Sequence, residues 1–258
     1  MAQSQRKHPK AGGKGLQPFY IVLGLVVIGG LAALVWAATA REGSAATEPI
    51  PVDSTLLANP PALYAAATPM TRGPDDAPVK LVVFIDYMCP ACGAFASRIE
   101  PVLQERYVDS GIMQIVSYDF PLGGAHVHSF LAARAARCAA EQGAFWTYHD
   151  RLFGSAGQWG SSPTPPIDQL AELGTQAGLD GGALEQCIRS DRYADVVSAN
   201  RLLGEQLGVN ATPTVIINNR RLPTSVVFDV EAIGEIVAQA APAAAERRQQ
   251  PEGAGAER

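Results

Sequence analysis

The chain has 258 residues, 47% of them apolar, and a formal net charge of −5, enough for one cored domain with an insertion or tails. Arg6, Lys7, Lys10 and Lys14 leave 16 bases and 25 acids from Arg41 onward, a net −9. The body of the chain therefore lacks the basic face that general nucleic-acid binding needs. Four cysteines permit two disulfides, provided the compartment is oxidising.

Residues 1–18 read as a basic, cytoplasmic N-terminus. Phe19 to Ala38 follows as 20 residues without a charge, the length at which an apolar helix spans a bilayer. Tyr20 and Trp36 stand near its two ends, where amphipathic rings favour the interface, and the preceding bases orient the N-terminus inward. A cleaved signal ending at Ala38-Thr39-Ala40 is the rival reading, but the run exceeds the usual 7–15-residue signal core. Either way the globular part is exported. The preferred localisation is a single-pass membrane anchor with an extracytoplasmic domain.

Residues 39–76 are rich in Ala, Pro, Thr and Gly without a helical or strand period, and read as a flexible linker. Val79 to Ile85 is a β-branched, apolar run that suits a strand covered on both faces. Asp86-Tyr87-Met88 leads into Cys89-Pro90-Ala91-Cys92. A helix follows with Phe95, Ile99, Val102 and Leu103 on one side, and Pro101 kinks it. Ile112 to Tyr118 reads as a second strand, completing a right-handed βαβ unit. Residues 125–207 read as helices interrupted by a Gly/Ser/Pro-rich loop at 154–166. Thr212-Pro213 enters a strand over Thr214–Ile217, Asn218-Asn219 reads as a hairpin turn, and a helix is expected over 229–239. The tail 241–258 reads as disordered. There is no internal repeat. The fold class is α/β, with βαβ and ββα units around a helical insertion.

A C-x-x-C pair is either a redox couple or half of a zinc site. A structural zinc usually needs four ligands, and Cys138 and Cys187 are isolated, so no metal is expected and no other cofactor. Redox is favoured because the pair follows a strand and opens a helix. At a helix start, unpaired N–H groups and the dipole favour a thiolate on Cys89. Pro90 fits the first turn, where its missing N–H is harmless. Cys92 lies one turn along, less exposed and less acidic. Asp86 either tunes a cysteine pKa or relays a proton to Cys92, or is a polar strand end with its own hydrogen bonds. Cys138 and Cys187, 49 residues apart on two helices, read as a structural disulfide worth about 4 kcal/mol in the chain-entropy model. Two buried free thiols are the alternative. His126 and His128 read as helix-start packing, with a place near the active-site face as the alternative, and Phe145 and Trp146 read as core.

Four stretches resemble the DsbA-like thiol oxidases, in particular the single-domain, membrane-anchored bacterial group. They are Phe84 to Cys92, Asp119-Phe120-Pro121-Leu122 with His126, Ala136-Arg137-Cys138 through His149-Asp150, and Gly208 to Thr214. The resemblance covers residues 77–240 and implies a thioredoxin fold with a helical insertion. It also implies that Pro213 is cis and faces the cysteine pair, with Thr212 offering backbone hydrogen bonds to an extended substrate. Without it, Pro213 reads as a trans proline at a strand start. Ala211 departs from the glycine common there. The implied function is oxidation of cysteine pairs in exported proteins, with a quinone-linked membrane protein as reoxidant. A reductase or isomerase is the alternative on the same fold, although an isomerase would ordinarily carry a dimerisation domain. A non-catalytic peptide- or metal-binding module is the alternative of another class.

Overall fold

The computed structural model describes residues 45–249, together with 20, 21, 23, 24 and 26–31. Met1–Ser44 and Ala45–Arg258 form separate units. In the first, the described residues between 20 and 31 are helical (α1) and expose Ile21, Val26, Val27, Ile28 and Leu31. Among the described residues no helix is long and apolar enough to cross a membrane. The expected span 19–38 lies partly outside them, and the basic terminus 1–18 and the cleavage point after Ala40 lie wholly outside.

The second unit is built on a five-stranded sheet of order β1-β3-β2-β4-β5. Central β2 (Val79–Ile85) pairs parallel with β3 (Met113–Asp119) and antiparallel with β4 (Thr214–Ile217). Both of its faces are covered, which is why its sequence is apolar at every position but Lys80. Leu81, Val83 and Ile85 point into a core shared with Phe95, Ile233 and Val237. Phe84 points the other way, against Leu63, Tyr118, Phe120 and Leu203, as the two-residue period of a strand dictates. Asn218 and Asn219 take positive φ, 44° and 70°, and turn β4 into β5 (Arg220–Arg221).

Two expectations are corrected here. From residue 45 the supposed linker is structured. A 3-10 turn at Ser54–Leu56 precedes α2 (Pro60–Ala66), whose first turn is capped by Asn59 and carries Pro at its start. Then β1 (Met70–Arg72) pairs antiparallel with β3. Leu63 and Ala67 are buried. Three strand residues are too few to display a period, which is why β1 is silent in the sequence. The second correction is the tail, since α12 (Val230–Gln249) continues ten residues past the expected end. The run of Ala, Glu and Arg there has high helix propensity, so low hydrophobicity did not mean disorder through 249.

Between β2 and β3, α3 (Pro90–Arg98) breaks at Ile99 and resumes as α4 (Glu100–Leu103), with Pro101 in its first turn, before a π-helical turn at Gln104–Val108. Between β3 and β4 lie α5 (Ser129–Glu141), α6 (Phe145–Gly154), α7 (Ala156–Trp159), α8 (Ile167–Gln176), α9 (Gly181–Arg189) and α10 (Ala194–Gln206). The short α7 occupies part of the expected 154–166 loop. It is held by Trp159, which is buried and donates its indole N–H to Leu152 O at 3.0 Å. Cys138 on α5 is joined to Cys187 on α9, Cα to Cα 5.8 Å. Arg137 locks α5 to β3 through buried Asp119 at 2.5 Å and to α10 through Asn200 at 3.0 Å. The four-residue α11 (Thr224–Val227) leads into α12.

Candidate active site

The register of the sheet assembles the site. Phe84 sits opposite Thr214 across the β2–β4 ladder, so the residues just past the end of β2 meet those just before β4. Those residues are Cys89 and the Thr212–Pro213 pair, whose peptide bond is cis. Cys89 Sγ lies 3.3 Å from Thr212 O and donates to it as a thiol. Cys89 is the N-cap of α3, with extended backbone (φ −76°, ψ 118°), and Pro90 follows in the first turn. Gly93 N returns to Cys89 O at 3.1 Å. Both active-site sulfurs are free thiols, Cys89 partly exposed and Cys92 1% exposed.

The two thiols differ sharply in acidity. A hydrogen bond from Cys92 is the largest cause that lowers Cys89, to about 5; burial works against it, and hydrogen bonds from Thr212 and from the Cys92 and Ala91 backbone assist. The sequence contributes this by beginning the helix at Pro90, which leaves the first-turn N–H groups of Ala91 and Cys92 for the sulfur. Cys92 is pushed far up, first by burial and then by its role as donor to Cys89. The result is one thiolate and one thiol at neutral pH. Thr212 Oγ1 is buried and has no hydrogen-bond partner of its own among the described residues.

Asp86 stands just past the end of β2 with its own hydrogen bonds. It is 1% exposed. Its Oδ1 accepts from Met88 N at 2.7 Å, and its Oδ2 accepts from Leu122 N at 2.8 Å and faces His126 Nδ1 at 2.9 Å. One carboxylate thus ties the turn before Cys89 to the loop after β3. Cys89 N donates to Asp86 O at 3.0 Å, closing that turn. His126 is therefore a partner of this anchor rather than mere helix-start packing. His128 does pack there, as the N-cap of α5, with Nε2 2.8 Å from Ser162 O and its N–H on Met88 Sδ at 3.2 Å.

One cluster carried no signal in the sequence. Tyr87 OH meets His149 Nδ1 at 3.0 Å, and His149 Nε2 faces Glu100 Oε2 at 3.3 Å. All three are buried, although 62 residues separate Tyr87 from His149. Only the sheet and the packing of α6 against α3 bring them together. Beside Cys89 runs a groove of about 920 Å³, walled by Met88, Pro90, Ala96, Phe153 and Gly157. Among the described residues no cluster of three or more His, Cys, Asp or Glu could hold a metal ion.

A family model described as thioredoxin matches residues 65–236, two thirds of the chain and all of the sheet. The chain belongs to the thioredoxin family. Disulfide bond formation protein D of Bacillus subtilis is 27% identical over 165 residues, 61% of this chain and 71% of that protein. The Na(+)/H(+) antiporter NhaA 3 of Salinispora tropica is 32% identical over 182 residues, 70% of this chain but only 26% of the antiporter. This thioredoxin-family chain thus spans little more than a quarter of that relative. The solved structure of Wolbachia pipientis alpha-DsbA1 has a TM-score of 0.61 and 20% identity, covering 70% of this chain and 94% of that one, a likeness of fold. Within that fold a block of helices, α5 to α10, stands between β3 and β4.

Proposed function

We propose that this thioredoxin-family protein oxidises cysteine pairs of exported proteins, from the outer face of a membrane in which residues 19–38 anchor it. The observation that carries the reading is the unequal thiol pair, Cys89 held near the Thr212 carbonyl with a pKa of about 5 above a buried, protonated Cys92. A thiolate that is stable at neutral pH is a good leaving group and favours the reduced form of the protein. Such a protein gives its disulfide away. The name of the Bacillus relative, a disulfide bond formation protein, points the same way. The uncharged run behind four basic residues supports the membrane tether.

In the reaction, a substrate thiolate attacks Cys89 Sγ of the oxidised protein. The Cys89–Cys92 bond breaks, and Cys92 leaves with the electron pair and takes up a proton, as its raised pKa demands. The second substrate thiolate then attacks the substrate sulfur of the mixed disulfide, and Cys89 leaves as a thiolate. The substrate has lost two electrons and the protein has gained them. Pro90 and the N–H of Ala91 support Cys89 at the helix start. Thr212, held in place by Pro213, offers backbone hydrogen bonds to the extended substrate. Asp86 keeps the pre-cysteine turn in register. A quinone-linked membrane protein removes the two electrons and restores the disulfide.

Stoichiometric incubation of the oxidised full-length protein with a reduced, unfolded dithiol substrate tests this. The substrate is expected to acquire one disulfide while Cys89 and Cys92 become free, and Cys89→Ala is expected to abolish the transfer. No transfer by the unaltered protein would replace the redox reading with that of a binding module.

A further inference from the structure

The groove beside Cys89 is apolar near the sulfur and acidic at its other end. Glu100 is one of its lining residues, with both carboxylate oxygens buried, and Asp150, Glu105 and Asp109 stand exposed around it. Glu100 is 2% exposed, and neither of its carboxylate oxygens has a hydrogen-bond partner; His149 Nε2, at 3.3 Å, is its one ion-pair contact among the described residues. None of the four carboxylates lies within ion-pair distance of a lysine or arginine among the described residues. The single lysine or arginine in the groove wall is Arg72, and its guanidinium is stacked 4.3 Å over the Trp146 ring. Low-dielectric walls strengthen the field of the exposed carboxylates in the adjoining groove.

Resting on the oxidase reading above, we infer that the groove selects substrate segments that carry a lysine or arginine a few residues from the reacting cysteine. The spacing follows from the helix. Glu100 lies eleven residues beyond Cys89, at most ~16 Å along α3 and α4 at 1.5 Å per residue. An extended peptide covers that distance in about five residues at ~3.3 Å each. The cysteine of the peptide meets Cys89, its apolar side chains lie along Ala96 and Phe153, and the cation reaches the acidic end. The partner is therefore an extended, cationic segment rather than an acidic or wholly apolar one.

Four dithiol peptides, identical except for Lys, Gln, Glu or Leu five residues from the reacting cysteine, test this against the oxidised full-length protein in detergent. The readout is the rate at which each reduces the Cys89–Cys92 disulfide. The Lys peptide is expected to react at least fivefold faster than the Glu peptide at low salt. The ratio should fall below twofold at 1 M salt, where the Debye length is about 3 Å. Because each ratio is taken within one protein, a general loss of rate cancels. Replacing exposed acids, Glu105→Gln with Asp150→Asn, is expected to reduce the ratio at least twofold, and Glu100→Gln to reduce it further if that variant folds. A ratio near one, a ratio unmoved by the exposed-acid variant, or a Leu peptide faster than the Lys peptide would each overturn the inference while leaving the oxidase reading intact. A protein whose disulfide even the Gln peptide fails to reduce would remove the oxidase reading and this inference with it.

Discussion

At the scale of single residues, the chemistry rests on the gap between Cys89 and Cys92. Cys89 is lowered to about 5, by the hydrogen bond from Cys92 first, from an ordinary thiol value of ~8.5. A thiol depressed in the folded state adds stability that is fully present above the ordinary value and is lost as pH falls through the folded one. The reduced protein is therefore expected to lose thermal stability relative to the oxidised protein as pH drops from 8 toward 5. Alkylation of Cys89 should follow the same titration, with a midpoint near 5, while Cys92 stays unreactive. Calorimetry on both redox forms and mass mapping of the alkylated cysteine check the two halves. A midpoint above 7 would contradict the hydrogen-bond pattern at the helix start.

Asp86 makes a second residue-scale case. Truncation to Ala would leave the N–H groups of Met88 and Leu122 without their acceptor. Each orphaned buried group costs ~1–3 kcal/mol. Asp86→Ala is accordingly expected to lower stability by ~2–4 kcal/mol in urea unfolding, and a loss under ~0.5 kcal/mol would mean that the carboxylate does not hold the turn.

At the scale of elements, the strands that build the site were legible and their edges were not. Val79–Ile85 declares a doubly covered strand because six of its seven positions are apolar, all but Lys80 near the strand start. The cysteine pair is visible because its chemistry lies in four adjacent residues. In contrast, β1 is three residues long, and α2 carries one fully buried leucine. Neither generates a period, and both are held by contacts to β3 and α10 that span long stretches of chain. The same holds for the partners of Asp86 and Tyr87. His126 and His149 stand 40 and 62 residues away, so only the fold can introduce them. The disulfide between α5 and α9 closes a separation of 49 residues, and the chain-entropy model gives such a bridge about 4 kcal/mol. A Cys138→Ala/Cys187→Ala protein is expected to lose stability by up to that amount while Cys89 keeps its low pKa. An unchanged midpoint in guanidinium unfolding would mean that the bridge contributes nothing to the domain.

At the scale of the whole molecule, the sheet order explains why one short motif suffices for a redox centre. The parallel β2–β3 pair brings the end of β2 beside the loop that carries Leu122 and His126. The antiparallel β2–β4 pair brings the same end beside Thr212 and Pro213. The insertion then supplies Phe153, Gly157 and Asp150 as the far wall of the groove. Three distant segments therefore converge on Cys89, and each contributes backbone or packing rather than a new reactive group. The direction of electron flow follows from how well that convergence stabilises the Cys89 thiolate.

The most direct measurement is the reduction potential of the Cys89–Cys92 pair in the full-length protein, by equilibration with glutathione buffers. The geometry predicts a value toward about −120 mV, that of a strong oxidant whose reduced form is stabilised. A value near about −270 mV, that of a thiol reductant, would contradict the account, because a Cys89 thiolate held as described could not coexist with so stable a disulfide.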